Sequence, residues 1–247
     1  MVHSTELFSI EEDPFFMADL QQMAKAHNYR RWQFDMVAPH VKGRILEVGG
    51  GIGNFTPELA KAGSSVVSIE PNAFCFKQLA EKTKPLKNVS VFNATVEDLE
   101  KHLPAQDRFD TIIMMNVLEH IKDDEAVLRL LQQRLAREGL LVILVPAAQW
   151  AFGSTDQRLG HYRRYSKSYS RALVGRLNMR MVAMRYYNFI GLWAWWFNAK
   201  ITRRENQNDG QIHLFDKYFV PVISRLEAVV PPPVGQSILF VARTTPS

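Results

Sequence analysis

A glycine-rich turn and an acidic residue about twenty positions later have the spacing of a nucleoside-binding site. The turn follows a short apolar run at residues 45–48, which is typical of a buried parallel strand. Side chains are nearly absent from this turn, so backbone N–H groups can approach a ligand closely; its glycines are Gly49, Gly50, Gly51 and Gly53. Glu70 ends the next apolar run, where its carboxylate can accept hydrogen bonds from both ribose hydroxyls.

The glycine spacing excludes two common nucleotide sites. A dinucleotide site needs G-x-G-x-x-G, but Asn54 stands where the third glycine belongs. No Gly-Lys-Ser or Gly-Lys-Thr of a P-loop follows either. The segment fits E-x-G-x-G-x-G instead, from Glu47 to Gly53. With Glu70, this pattern resembles the class I S-adenosylmethionine-dependent methyltransferases.

The resemblance extends from residue 24 to residue 243. Residues 116–121, Asn-Val-Leu-Glu-His-Ile, are similar to the segment after strand four of many small-molecule methyltransferases. Residues 28–32, residues 160–165 and Asn188 resemble a bacterial subgroup labelled type 11 or type 12. The resemblance implies S-adenosyl-L-methionine as the cofactor. It also implies an α/β, Rossmann-like, doubly wound sheet of seven strands in the order 3-2-1-4-5-7-6, with the last strand antiparallel.

Strands and helices alternate along the chain, and these elements must position the site. Apolar runs predict strands at residues 44–48, 65–70, 89–93, 111–115, 140–145, 179–187 and 237–243. Helical patterns cover residues 13–38, 54–62, 73–83 and 123–135. Such alternation favours a parallel sheet with helices on both faces. We predict a single domain over residues 1–247, with a helical cap at 1–40 and substrate-side insertions at 146–178 and 188–235.

The resemblance also implies cofactor contacts residue by residue. The glycine turn would line the methionine portion, Glu47 would support the turn or bind the cofactor amine, and Glu70 would hold the ribose. Thr95 and Val96 stand where relatives carry an acidic residue and then a small residue that frames the adenine, so Thr95 departs from the pattern. Asn116 falls at the carboxyl end of strand four, where open α/β sheets bind ligands.

The acceptor side of the predicted site is rich in tyrosine and arginine. His161 is the candidate general base, because a pKa near 7 suits deprotonation of an oxygen or nitrogen nucleophile. Tyr165 and Tyr29 complete the predicted catalytic set, since aromatic faces can stabilise a sulfonium by about 0.5–2 kcal/mol. The predicted substrate pocket contains Trp32, Asp156, Tyr162 and Asn188. In the alternative interpretation, His161 and its tyrosine neighbours only anchor a lid.

A metal and a nucleic acid are both unexpected. Glu119 and His120 lack the His-Glu-x-x-His or cysteine–histidine spacing of a metal site. Relatives that methylate base amino groups carry Asp/Asn-Pro-Pro-Tyr/Phe after strand four, whereas this chain has Asn116-Val-Leu-Glu. A small-molecule substrate is therefore predicted. Residues 189–197 are apolar but far shorter than the roughly 20 residues that span a bilayer, which leaves only a peripheral membrane contact open.

Composition favours a folded enzyme in a reducing compartment. Hydrophobic residues make up 47% of the 247 residues, enough for a sizeable core. The single cysteine, Cys75, excludes an internal disulfide, and the first residues lack the features of a signal peptide, so we predict a cytoplasmic location. The net charge is +5, and a local concentration of basic residues at 158–171 fits either a solvated face or an anion-attracting patch. The oligomeric state is not predicted.

Two other functions remain open at this point. A cofactor-consuming cyclase or lyase would promote attack within S-adenosylmethionine and release methylthioadenosine. A non-catalytic partner would bind the cofactor without using it. Methyl transfer to O, N or C of a small metabolite is the leading hypothesis, because intermolecular transfer is the usual chemistry that the resemblance implies. Holding the reactants in line can remove about 7–11 kcal/mol of the barrier to such a transfer.

Overall fold

Seven strands form one mixed sheet in the order β3-β2-β1-β4-β5-β7-β6. The computed structural model describes residues 20–21, 23–197 and 214–245. The strands are β1 (Arg44–Val48), β2 (Ser65–Ile69), β3 (Val89–Phe92), β4 (Phe109–Met115), β5 (Leu135–Pro146), β6 (Met179–Tyr187) and β7 (Ser237–Thr244). The first five strands pair in parallel, and β7 runs antiparallel to both β5 and β6. The predicted fold class and strand order are confirmed.

Helices connect the strands and cover both faces of the sheet. They are α1 (His27–Val37), α2 (Thr56–Ala62), α3 (Ala73–Thr83), α4 (Leu99–His102), α5 (Asp124–Gln132), α6 (Ser154–Arg158), α7 (Lys167–Arg176), α8 (Phe189–Phe197) and α9 (Val220–Val229). A π-helix at Phe215–Phe219 leads into α9. The first residues of the predicted helix at 13–38 lie outside the described residues. Its described part has a break at Ala26.

Side chains of each central strand alternate between two apolar cores. In β1, Leu46 and Val48 enter one core while Ile45 enters the other. Helix α5 closes the first core with Val127, Leu128 and Leu131, and helices α1, α2 and α9 close the second. Because the strands are covered on both faces, they can consist almost entirely of apolar residues. The buried sheet fixes the positions of the loops at the carboxyl ends of its strands.

Strand β5 and helix α7 differ from the sequence-based prediction in ways that affect the sheet and its core. Strand β5 begins at Leu135, where the prediction placed the end of a helix, because Leu135 pairs with Phe109 ahead of an irregularity in the β4–β5 register. Helix α7 lies within the first predicted insertion, yet it packs against β6 and buries Leu173 and Val174 in the core. The division into cap and insertions otherwise remains a prediction.

The apolar segment at 189–197 forms helix α8, with Trp193 and Phe197 about half exposed at 46% and 48%. Across the described part of the chain, no helix combines the length and apolar character needed to cross a membrane.

Candidate functional site

A cavity of about 1220 Å³ lies at the carboxyl ends of β1, β2, β4 and β5. Pockets for one small ligand usually occupy about 300–1,000 Å³, so this cavity is larger than the usual site for one small ligand. Its glycine-loop end is lined by residues 48–51, 54–55, 69–72, 94–97 and 115–117. Its histidine end is lined by Tyr29, Gln33, Glu119, His120, His161, Tyr162, Arg164 and Trp195.

The four positions of the turn are occupied by glycine for different structural reasons. A Cβ at Gly49 or Gly50 would lie 2.5 Å or 2.4 Å from a neighbouring side-chain atom, so these two are needed for packing. Gly53 does not line the cavity and packs against α3, which corrects its prediction as a cofactor contact. At Gly51, with φ +55°, a Cβ would meet only Leu20, at 3.9 Å. Gly51 is therefore the position where a ligand can approach the backbone most closely.

Glu70 connects the glycine turn to the cavity. Its Oε2 accepts a hydrogen bond from Gly51 N at 2.8 Å, and its Oε1 accepts one from Asn72 N at 2.9 Å. A carboxylate has about four acceptor sites, so two remain for ribose hydroxyls. Burial raises the pKa of Glu70 to about 7, although the two backbone N–H groups oppose the shift. Glu70 thus lines the cavity beside the glycine turn and keeps two acceptor sites, and its binding of a ribose remains a prediction.

The raised pKa of Glu70 predicts a pH-dependent stability. Its folded pKa of about 7 exceeds its ordinary value of 4.5, so the folded protein holds this proton more tightly than the unfolded chain. The stabilising contribution is complete below the ordinary pKa and is lost as pH rises from 4.5 to 7, by roughly 3 kcal/mol. Glu70→Gln should flatten this decline, as measured by urea unfolding of the ligand-free protein across that range. An unchanged slope in the variant would contradict the assignment.

Glu47 is bonded to the elements that flank the turn and is not among the residues that line the cavity. It is 6% exposed, and its Oε2 accepts hydrogen bonds of 2.6 Å from Thr56 Oγ1 and from Ser68 Oγ. These contacts join the end of β1 to α2 and β2. Glu47 is not among the residues that line the cavity, and its Oε2 is engaged by two hydroxyl groups of the protein, so a direct contact with the cofactor remains a prediction. The alternative role, support of the glycine turn, fits these contacts.

Three further predicted residues line the glycine-loop end. Thr95 Oγ1 donates to Asp98 Oδ2 at 3.0 Å, so this hydroxyl is engaged within the protein. Val96 is 8% exposed and offers an apolar wall. Asn116 has φ 55° and is held there by its backbone N–H, which donates to Leu144 O at 2.8 Å. A left-handed backbone at a residue other than glycine is uncommon and is concentrated at functional sites.

The histidine end contains a buried carboxylate with no partner. Glu119 is fully buried, and neither carboxylate oxygen has a hydrogen-bond partner in the structure. Burial raises the pKa of Glu119 to about 7, against the lowering influence of His161. An unsatisfied buried acceptor costs about 1–3 kcal/mol, more when charged. Such a group lowers the stability of the folded protein unless a ligand satisfies it.

His161 is fixed by a buried ion pair behind it. Its Nδ1 lies 2.9 Å from Asp156 Oδ1, and Arg164 Nε donates to the same oxygen at 2.8 Å. Burial would raise the pKa of Asp156, but the hydrogen bond from His161 and the charge of Arg164 lower it overall. Asp156 does not line the cavity, so its prediction as a pocket residue is wrong. Asp156 positions the imidazole instead.

His120 also lies at this end, although no role was predicted for it from the sequence. Its ring packs edge-on against the ring of His161, with centroids 4.7 Å apart. Desolvation lowers the pKa of His120 to about 3, so the imidazole is neutral at ordinary pH. Glu119 and His120 are adjacent in the chain, but only the fold brings them to His161.

Three predicted site residues belong to the protein interior. Tyr165 is fully buried, and its hydroxyl donates to Asp124 Oδ2 at 3.0 Å, so its prediction as a catalytic residue is wrong. Trp32 is 6% exposed and packs edge-on against a buried tyrosine in the second core. Asn188 is 2% exposed, and its side chain bonds Gly191 N at the start of α8 and Gln236. None of the three lines the cavity.

Tyr29 and Tyr162 line the cavity. The backbone N–H of Tyr29 donates to Asp216 Oδ1 at 2.8 Å, which connects α1 to the π-helix. The backbone N–H of Tyr162 donates to Glu119 O at 2.8 Å and ties the loop after α6 to the segment that carries Glu119 and His120. Their roles toward a substrate remain predictions.

Comparison with protein families matches residues 18–204 to the family described as a methyltransferase domain. The tRNA U34 carboxymethyltransferase of Alteromonas mediterranea is 32% identical over 124 residues, covering 45% of this chain and 36% of that protein. Its namesake from Ruthia magnifica is 28% identical over 146 residues, covering 56% of this chain and 44% of that protein. The chain thus spans less than half the length of these curated relatives.

Solved structures share the fold at low sequence identity. A SAM dependent methyltransferase from Archaeoglobus fulgidus superposes with a TM-score of 0.64 at 14% identity, covering 94% of this chain and 100% of that chain. An S-adenosylmethionine dependent methyltransferase from Mesorhizobium loti gives a TM-score of 0.56 at 18% identity, covering 83% of this chain and 93% of that chain. These likenesses concern the fold alone.

Proposed function

The chain belongs to the methyltransferase-domain family, with S-adenosylmethionine as its cofactor, and on this basis we propose that it methylates O, N or C of a small molecule held at the histidine end. The observation that carries the proposal is the continuity of one cavity of about 1220 Å³. A bound cofactor supplies an activated methyl group on its sulfonium. The residues at the two ends then have separate tasks.

The glycine-loop end is suited to hold the cofactor. The open space over Gly51 would receive the methionine portion, and the two remaining acceptor sites of Glu70 would bind the ribose hydroxyls. Thr95, Val96 and Asn116 would contact the rest of the cofactor from the cavity wall. Such positioning is the main catalytic contribution that the protein needs to make, because an aligned pair of reactants reacts as if at very high concentration.

The histidine end is suited to receive an acceptor that loses a proton. Glu119 and His161 are proton-accepting residues of the cavity wall that lie beside His120. His161 is oriented by Asp156, an arrangement that favours one tautomer of the imidazole. We assign His161 the role of activating the acceptor, with Tyr29 and Tyr162 as walls of its pocket.

A small acceptor is favoured over a nucleic acid by the charges of the wall. Among the described residues, the basic side chains that line the cavity are Lys122, Arg129 and Arg164, and both arginines are ion-paired: Arg129 with Glu125 at 2.6 Å and Arg164 with Asp156 at 2.8 Å. Nucleic-acid binding depends mainly on cationic side chains that contact phosphates. The curated relatives are named for tRNA, but the alignments cover only 36% and 44% of their length. Transfer RNA is therefore an acceptor for the experiment to test, alongside the small-molecule proposal.

The test is to incubate the protein with methyl-labelled S-adenosylmethionine in three ways: with a low-mass metabolite extract, with bulk tRNA, and alone. We expect S-adenosylhomocysteine and a labelled low-mass product in the first mixture only. Label in the tRNA fraction would show that the acceptor is a nucleic acid and not a small molecule. Methylthioadenosine from the cofactor alone would instead indicate the cyclase or lyase reaction. Glu70→Ala protein serves as the control for label transfer without bound cofactor.

A further inference from the structure

Three potential metal ligands converge at the histidine end of the cavity. Glu119, His120 and His161 each offer one ligand atom, and these atoms all lie within 4.8 Å of one another. Ligand atoms about 2.1 Å from one ion are about 3–4 Å apart, so small side-chain rotations bring all three onto a common ion. We propose that this cluster binds a divalent transition-metal cation that faces the acceptor.

The unpartnered carboxylate of Glu119 supports this site independently of the clustering. Both of its oxygens are buried without a hydrogen bond, and Glu119 is one of the residues around the cavity. Buried charges in proteins are normally paired or coordinate a metal. No basic side chain within the described chain donates to Glu119: Arg164, a cation of the same cavity wall, gives its Nε to Asp156. A cation held between Glu119 and the histidines would satisfy the carboxylate.

Each histidine is also held from behind, as metal-binding histidines usually are. A ligating imidazole typically uses its other ring nitrogen to donate to a carboxylate or a backbone carbonyl. His161 Nδ1 meets Asp156 Oδ1 at 2.9 Å, which leaves Nε2 for the cation. The ring of His120 hydrogen-bonds the backbone at Leu159 and Gly160. The positioning contacts of the proposed site are therefore already made.

The donor set selects the class of metal. Two imidazoles and one carboxylate suit divalent transition metals such as Mn²⁺, Co²⁺ and Zn²⁺, whereas Mg²⁺ and Ca²⁺ prefer sites made of oxygens alone. Three protein ligands also leave coordination positions for a further molecule. The expectation that no metal binds relied on local spacing, which does not include His161 because that residue lies on a different loop.

The role of the cation rests on the proposed function. A metal at this site could bind the acceptor oxygen and lower its pKa, which promotes deprotonation without a general base. His161 would then act as a ligand, and the proton would leave to solvent from the metal-bound acceptor. Methyl transfer to that oxygen breaks the carbon–sulfur bond of the sulfonium and leaves neutral S-adenosylhomocysteine.

Metal binding can be measured without cofactor or acceptor, so its outcome is separable from that of the proposed function. Chelator-treated protein is titrated with MnCl₂, and free Mn²⁺ is followed by electron paramagnetic resonance; Co²⁺ absorption reports the ligand geometry. We expect one ion per chain. Glu119→Gln and His161→Gln should each weaken binding by about 100-fold or more, the upper end of what even a supporting residue contributes. His102→Gln, at an exposed histidine outside the cluster, should bind as wild type.

Thermal unfolding distinguishes a variant that has lost metal binding from one that has misfolded. Ligand-free Glu119→Gln should melt at or above the wild-type temperature, because an unpartnered buried carboxylate has been removed. Mn²⁺ should raise the melting temperature of wild type and of His102→Gln but not of Glu119→Gln. Absence of binding to wild type, or equal binding by wild type and both cluster variants, would overturn the proposal.

Discussion

Gly51→Val is expected to weaken S-adenosylmethionine binding by at least about tenfold, the equivalent of about 1.4 kcal/mol, while the protein stays folded. Gly51 has φ +55°, and the space above it is open to the cavity. A valine there places a branched side chain where the cofactor would lie, and it also disfavours the left-handed backbone. Isothermal titration calorimetry with S-adenosylmethionine measures the loss.

Glu70→Ala should give a loss of the same kind for a different reason. The substitution removes the acceptor for the ribose and also releases Gly51 N and Asn72 N. Gly175→Val is the matched control, because Gly175 lies in α7 and a Cβ added to it would have no neighbouring atom within 4 Å. Wild-type affinity in both Gly51→Val and Glu70→Ala would show that the cofactor does not bind at this end of the cavity.

The second large effect is expected at His161. His161→Gln should lower kcat by about 10²–10⁴-fold, the usual contribution of a group that assists proton removal. The dissociation constant for S-adenosylmethionine should hardly change, because His161 bonds Asp156 and takes no part in the contacts that hold Glu70 to Gly51 and Asn72. Steady-state kinetics with the identified acceptor, together with calorimetry, separate these two quantities.

Tyr165→Phe provides the contrast. The hydroxyl of Tyr165 bonds Asp124 and the backbone at Leu118 in the protein interior, away from the cavity. Its loss should cost about 0.5–1.5 kcal/mol of stability and leave kcat unchanged. A large fall in kcat for Tyr165→Phe, with wild-type turnover in His161→Gln, would reverse the assignment.

The parts of the fold predicted best are those that depend on local pattern. Strand β1 and helix α3 have the predicted bounds because an apolar run and a capped helix are specified by neighbouring residues. The strand order came from the resemblance, since pairing of distant strands leaves no local signal. At β5 the prediction missed the start of the strand, because the strand continues back to Leu135, which pairs with Phe109 across an irregularity in the register, and no local pattern indicates such a pairing.

The site was predicted unevenly for a similar reason. Gly51 and Glu70 are recognised by their spacing, because a turn and the following strand end act together. No sequence spacing distinguishes an aromatic residue of the site from one of the core. Trp32 and Tyr165 were assigned to the site, but they pack in the interior. Glu119, His120 and His161 meet only after folding, so their cluster was invisible to a search by spacing.

The proposed function requires that one cavity hold the cofactor over Gly51 and Glu70 with its reactive sulfur toward the histidine end. A crystal structure with S-adenosylhomocysteine would show the position of each of these groups. We expect ribose hydroxyls within hydrogen-bond distance of Glu70, the amino-acid tail over Gly51, and the sulfur facing Glu119 and His161. A ribose bound away from Glu70, or a sulfur directed away from the histidine end, would contradict this arrangement.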